Sequence, residues 1–273
     1  MEELSFEDLD KYLLEQKGKI IHQIWFGTIP NKNAARKTYK EFRKYRESWI
    51  VKNPNWTYIC WNLDRCNELV KKHYLHHKEM YENYIYVIQK CDTVRYFILH
   101  RYGGLYADMD YYCLRSWDQV IKDFPGDFYL VETPNKIFNK IHISNSLMYS
   151  RPGHPYWNKL FIELEQNQTS PLYYSKHMTI MFTTGPAILN RVFNDYYISY
   201  QLKYYPYKLF HPYGLSTETE NLYRNPNVYA IHMGKGSWES NDSKILIFLF
   251  QEYQILSIIV GILLLAIFLV SIF

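Results

Sequence analysis

The stretch from Glu82 to Asp110 constrains this chain more than any other. Ile85, Ile88, Val94, Phe97 and Ile98 recur at helical spacing over 82–101, and the run stops at Gly103-Gly104, a helix-terminating pair. Leu105-Tyr106-Ala107 then reads as a short buried strand that runs straight into Asp108-Met109-Asp110. A helix, a glycine hinge and a strand ending in carboxylates is the layout of an α/β sheet, whose ligands bind beyond the carboxyl ends of the strands. The preceding residues alternate in the same way. Ser5 with Asp8 starts an amphipathic helix over 5–16, and Lys19 to Phe26 forms a strand that ends at Gly27 and Pro30. A basic helix follows over 34–50, then a second strand over 56–61 after the Asn53-Pro54-Asn55 turn, then a helix over 63–73. Later strands are expected at 127–132, 143–149, near 207–211 and at 228–232, with helices at 154–166, 175–181 and 186–196. The expected fold is an α/β domain with a mainly parallel sheet.

The 48% hydrophobic and 21% charged composition is that of a globular chain. A net charge of +4 is too mild for a nucleic-acid face, so no nucleic-acid partner is expected. Four cysteines without metal-type spacing exclude a small stapled scaffold. The chain ends differently from its body. From Ile255 to Phe273 no residue is charged, and a helix over 255–273 rises about 28 Å, close to the ~30 Å hydrocarbon core. This reads as a transmembrane helix within a C-terminal anchor, 245–273, following a folded domain over 1–244. The acidic N-terminus, with no apolar core, does not read as a signal peptide. The expected topology is therefore single-pass and tail-anchored.

Asp108 and Asp110 can share a hard cation, Mg²⁺ or Mn²⁺, which stabilises a diphosphate leaving group. A bare Asp-x-Asp is also an ordinary solvated turn. Haloacid-dehalogenase phosphatases use the same pair, but directly after their first strand, not after a third as here. His73, His76 and His77 read as a solvated helix face, since zinc needs further ligands. The basic run Arg36 to Arg46 reads as a solvated face or as one lying near anionic lipid headgroups.

The flanking residues sharpen the carboxylate pair. Cys91-Asp92-Thr93-Val94-Arg95-Tyr96, followed by Tyr102-Gly103-Gly104-Leu105-Tyr106-Ala107-Asp108-Met109-Asp110, resembles the sugar-binding region of DXD glycosyltransferases of family 32. Ile20-Ile21-His22-Gln23-Ile24-Trp25, Ser48-Trp49, Asn53-Pro54, Trp56 and Trp61 match the pattern before it. Ser144-Asn145, Gly153-His154-Pro155, Thr184-Gly185-Pro186, His232 and Gly236-Ser237-Trp238 follow in order. The likeness covers about 19–240 and is strongest to mannosyltransferases acting on inositol phosphorylceramide. Cys91 stands where alanine is usual, and Ser146 where an acidic residue often follows Ser-Asn.

The resemblance implies a GT-A fold, Rossmann-like with a mainly parallel mixed sheet, and a nucleotide-sugar donor. It places Asp108 on the ribose or a metal-bound water, and Asp110 and His232 on the metal. The imidazole favours Mn²⁺ over Mg²⁺. It places Asp92 and Arg95 at the sugar and phosphate as catalytic residues beside Asp108 and Asp110, with Tyr106, Asn145 and Gly185 also at the donor. Ser237 and Trp238 would hydrogen-bond the diphosphate, and Ile24 and Trp25 would cover the base. The implied reaction is retaining transfer of a hexose, with mannose from GDP-mannose as the first choice, to a lipid or glycan such as inositol phosphorylceramide. Same-face attack is favoured because no second carboxylate stands out as nucleophile. A UDP-sugar donor on a glycan or protein acceptor, or a non-catalytic membrane-tethered binding protein, remains as the alternative. An endomembrane, Golgi-like location is implied. Lys235 and Lys244 before the apolar run place the domain on the cytosolic side by the positive-inside rule, whereas the resemblance implies the lumen.

Overall fold

The computed structural model describes residues 4–27, 40–134, 141–210, 219–234 and 242. The helices are α1 (Phe6–Glu15), α2 (Arg43–Lys52), α3 (Leu63–His73), α4 (Lys78–Asn83), α5 (Val87–Tyr102), α6 (Trp117–Asp123), α7 (Tyr156–Gln166), α8 (Lys176–Thr183), α9 (Pro186–Tyr196), α10 (Tyr207–Phe210) and α11 (Thr219–Arg224). The strands are β1 (Ile20–Ile24), β2 (Thr57–Trp61), β3 (Gly104–Ala107), β4 (Tyr111–Cys113), β5 (Phe128–Glu132), β6 (Ile143–Ser150), β7 (Lys203–Tyr205) and β8 (Ala230–His232). Among the described residues two compact units form, 4–170 with 180–234, and 171–179 with 242. In the second, the His177 amide donates to Asp242 Oδ2 at 2.8 Å.

Six strands form one sheet in the order β2-β1-β3-β6-β5-β7. The pairs β1–β2, β1–β3 and β5–β7 are parallel, and β3–β6 and β5–β6 antiparallel, so the sheet is mixed but mostly parallel. The inner strands β1, β3, β5 and β6 are buried nearly throughout, so both of their faces are covered, while the edge strands β2 and β7 are only partly buried. Alternate side chains go to opposite layers. Ile20, Ile24, Tyr106, Leu130 and Met148 join one core cluster, and Ile21, Leu105, Ala107, Val131 and Leu147 the other. Antiparallel β4 and β8 form a separate pair in which Tyr111 lies opposite His232.

Gly103 and Gly104 make the α5-to-β3 junction possible. Both have positive φ, 64° and 90°, a region that penalises other residues. A Cβ on Gly104 would also lie 2.4 Å from the Ile20 carbonyl oxygen. Only a bare backbone lets β3 run this close to β1. His22 clamps the same junction. The Trp61 indole N–H donates to His22 Nδ1 at 3.1 Å, so the proton sits on Nε2, which donates to the Gly103 carbonyl at 2.9 Å.

Most expected elements are present, with three corrections. The 82–101 segment is not one helix. Tyr84 leaves the helical region after α4, and α5 starts at Val87, where the Gln89 side chain accepts from the Tyr86 amide at 3.0 Å. The strand expected near 207–211 is instead the one-turn helix α10, because Pro206 ends the extended run at Tyr205 and its fixed φ starts a helix. β4 and α6 were not anticipated, although Ser116 is a standard cap that accepts from the Gln119 amide. The anchor expected over 255–273 lies outside the described residues. Among those that are described, no helix is long and apolar enough to cross a membrane.

Gly104→Ala should lower stability by at least about 2 kcal/mol, from strain and the contact with Ile20 together. An unchanged urea midpoint would contradict this. Burial holds the His22 imidazole neutral, pulling its pKa from 6.5 down to about 3. The unfolded chain therefore binds more protons between these values, and stability falls as pH drops through this window. His22→Gln should flatten that arm of the pH–stability curve.

Candidate functional site

β3 delivers two carboxylates to its C-terminal end, and the ladders beside it decide what they face. Asp108 is fixed by its backbone: its amide donates to the Ser146 carbonyl at 2.8 Å, and its own carbonyl accepts from Gln23 Nε2 at 2.9 Å. Tyr58 Oη in turn donates to Gln23 Oε1 at 2.7 Å, so β1 and β2 hold the turn from below. Asp110 follows at the start of β4. The β4–β8 pairing brings His232 beside it, with Nε2 3.1 Å from Asp110 Oδ1, and the imidazole stacks on Tyr111 at 4.6 Å. One ligand atom from each of Asp108, Asp110 and His232 lies within 4.8 Å of the others. His232 thus arrives from more than 100 residues away only because the β4–β8 pair forms.

Behind the carboxylates lies a buried charge network. Arg95 of α5 reaches Asp92 Oδ1 at 2.9 Å, Asp108 Oδ1 at 3.0 Å and the Asn145 carbonyl at 2.9 Å. Its guanidinium lies over the Tyr106 ring at 4.7 Å, and Tyr106 Oη donates to Asp108 Oδ1 at 2.7 Å. Burial opposes the Arg95 charge, but the surrounding tyrosines and carboxylates hold its pKa well above the ordinary value. Asp92 accepts from Asn145 Nδ2 at 3.0 Å and Thr184 Oγ1 at 3.3 Å. Burial pushes its carboxyl up to about 7, against the pull of Arg95. Burial also raises Asp108, with Asp110 adding repulsion and Arg95 offsetting part of it.

The residues present suit a divalent cation. Asp110 repels charge on Asp108, and a cation held between the two carboxylates relieves that repulsion. Two oxygens with one imidazole nitrogen suit Mn²⁺. Among the described residues, His73, His76 and His77 form no such group: His73 faces Asp10 at 3.4 Å, and His77 pairs with Glu165 at 2.7 Å.

The structure places some of the other expected site residues beside this centre. Tyr106 and Asn145 touch the network directly. Gly185 sits immediately after Thr184, where a Cβ would lie 2.9 Å from the Ile180 carbonyl. Trp25 is half-buried and packs edge-on against Phe42 at 5.6 Å, in a patch that includes Met109 and Tyr112. Ile24 is a buried member of the main core. Ser237 and Trp238 lie outside the described residues. Thr184, Tyr96, Gln23 and Tyr58 were not picked out as site residues. The first three fall inside motifs already noted, but Tyr58 carried no local signal.

Known proteins resemble this chain in sequence and in fold. Residues 40–125 match the family described as "Glycosyltransferase sugar-binding region containing DXD motif", and the resemblance read from the sequence holds there. The chain is 32% identical over 179 residues to the mannosyl phosphorylinositol ceramide synthase CSH1 of Saccharomyces cerevisiae, covering 65% of this chain and 43% of that protein. It is 27% identical over 230 residues to inositol phosphoceramide mannosyltransferase 2 of Schizosaccharomyces pombe, covering 84% and 60%. The chain thus spans less than two thirds of either relative. Among solved structures, the PaToxG glycosyltransferase is similar at 17% identity, covering 70% of this chain and 75% of that one, with a TM-score of 0.46.

His232→Ala should weaken Mn²⁺ binding at least about tenfold, measured by calorimetry on the full chain in neutral detergent. Affinity equal to that of the parent would remove His232 from the ligand set.

Proposed function

We infer, from the premise that residues 40–125 carry a DXD sugar-binding region, that this chain is a metal-dependent glycosyltransferase that moves mannose from GDP-mannose to a lipid acceptor of the inositol phosphorylceramide type. One observation carries the reading: Asp108, Asp110 and His232 converge at the end of β3, directly beside the buried Asp92–Arg95–Asp108 network. The names of the relatives support the sugar and the acceptor class.

The chemistry that a divalent cation supplies here is charge stabilisation of the diphosphate leaving group. The residues of the chain do the rest. Asp110 and His232 would hold the cation, and Asp108 would hold it or the ribose. Arg95 is locked at both ends, so its planar fork stays aimed while substrate arrives, and a preorganised cation loses little on reorganisation. Asp92 sits where its carboxylate can accept from sugar hydroxyls once a donor displaces part of its present hydrogen bonding. Thr184 and Asn145 keep it oriented. Trp25 offers an aromatic edge for the base, and Ser237 with Trp238 would donate to the diphosphate. With no further carboxylate in the network to act as nucleophile, same-face attack fits best, the departing phosphate oxygen taking the acceptor proton. Residues 1–244 would form the catalytic domain, of GT-A type. Residues 245–273 would tether it to an endomembrane through the uncharged run over 255–273.

Asp110→Ala should abolish Mn²⁺-dependent transfer of labelled mannose from GDP-mannose to membrane lipids, a loss of at least about 10³-fold. Turnover in that variant would sink the metal role. Transfer by the parent chain from UDP-sugars alone would instead move the donor assignment. Arg95→Lys should also lower kcat by at least about tenfold, because a point charge cannot bridge two carboxylates.

A further inference from the structure

A second cluster of charge lies at the opposite end of β4 from Asp110. There Lys52 at the end of α2, Arg115 just after β4, and Arg224 at the end of α11 line one cleft of about 360 Å³, together with Tyr112, Tyr223 and Asn225. Among the described residues no carboxylate lines it. Asp123 beside Tyr229 offsets part of the Arg115 charge, but three cations around one concavity still favour an anionic occupant, and a volume of this size suits a headgroup. The cleft is partly preorganised. Arg115 Nε donates to the Val228 carbonyl at 3.2 Å, and its guanidinium lies over the Tyr229 ring at 5.5 Å, which fixes the charge in place. Tyr112 and Tyr223 meet edge to face at 5.2 Å and wall one side.

The surface beside the cleft indicates where the anion comes from. Ile50 and Val51, immediately before Lys52, are 45% and 73% exposed. At helical spacing they share the outer face of α2 with Arg43 and Lys44. Glu47, the acidic residue on that face, is taken up by Arg43 at 2.6 Å. Bare aliphatic side chains among cations are what an anionic bilayer surface accommodates: the apolar groups enter the interface and the cations meet phosphates. A site for a free, fully hydrated anion gains nothing from them.

We propose that this cleft binds the phosphate headgroup of an anionic phospholipid, with Ile50 and Val51 seated at the bilayer interface beside it. It is a lipid site separate from the carboxylate centre and does not depend on the donor reading. Docking there would set the orientation of the domain on the membrane, independently of any anchor in the chain.

The test uses the full chain in a neutral detergent, with dioctanoyl phosphatidylinositol phosphate as probe, dioctanoyl phosphatidylcholine as neutral control, and inorganic phosphate as the free anion. The parent should bind the anionic lipid and not the neutral one. The Lys52→Glu/Arg224→Glu variant, both exposed positions outside the carboxylate centre, should bind it at least about thirtyfold more weakly, from the loss of two cations near an anionic group. Equal affinity in the variant would overturn the proposal, and inorganic phosphate displacing the lipid at comparable concentration would overturn the lipid assignment. Acetylation of Lys52 in the parent chain provides a readout that needs no variant. The anionic lipid should slow it about tenfold, and an unchanged rate would also count against the site. Asp110→Ala should leave lipid binding intact, so failure of the donor reading and failure of this one are separable.

Discussion

The backbone contact between Gly104 and Ile20 governs how the rest of the molecule can assemble. With a hypothetical Cβ only 2.4 Å from the Ile20 oxygen, the third strand can approach the first only because two glycines follow α5. Once β3 is seated between β1 and β6, its end is fixed, and with it the directions of Asp108 and Asp110. His22 reinforces the same point by joining Trp61 of β2 to Gly103 through one neutral ring. A steric requirement at two residues is thereby converted into the placement of two carboxylates.

The second organising element is electrostatic. Arg95 is buried, a costly position for a charge unless carboxylates and hydrogen bonds surround it. Asp92, Asp108, the Asn145 carbonyl and the Tyr106 ring provide that surrounding. Removing any one partner leaves a buried charge under-compensated, so the network holds its members in a single arrangement. That rigidity suits the proposed role, in which the site presents a fixed charge pattern to a diphosphate sugar. The same reasoning separates Arg95 from the exposed pairs on the helices, such as Arg43–Glu47, which are screened and contribute little.

Much of this was legible in the sequence, for identifiable reasons. Continuous apolar strands, a Ser5 cap and the Gly103-Gly104 stop are local signals, and the elements they mark are present. The helix break at Tyr84–Tyr86 was not legible, because Ile85 keeps the apolar period while pointing into solvent, at 77% exposed. The places of the 28 tyrosines could not be read one by one from the sequence. The structure places many of these rings in the core, as in the Tyr129–Tyr205 stack at 4.3 Å and the Tyr74–Phe97 stack at 4.1 Å. The rings are buried, and the Tyr74 and Tyr96 hydroxyls each donate to a backbone carbonyl.

The order of residues alone determined the α/β class, the helix–glycine–strand unit and the carboxylate pair at its end, because each depends on neighbours a few positions apart. Only the tertiary structure decided that Asn145 and Thr184 meet at Asp92, and that Tyr58 supports Asp108 through Gln23. Only the tertiary structure gathered Lys52, Arg115 and Arg224 into one cleft. These groups lie far apart along the chain, and their meeting follows from strand order and register, which local sequence does not encode.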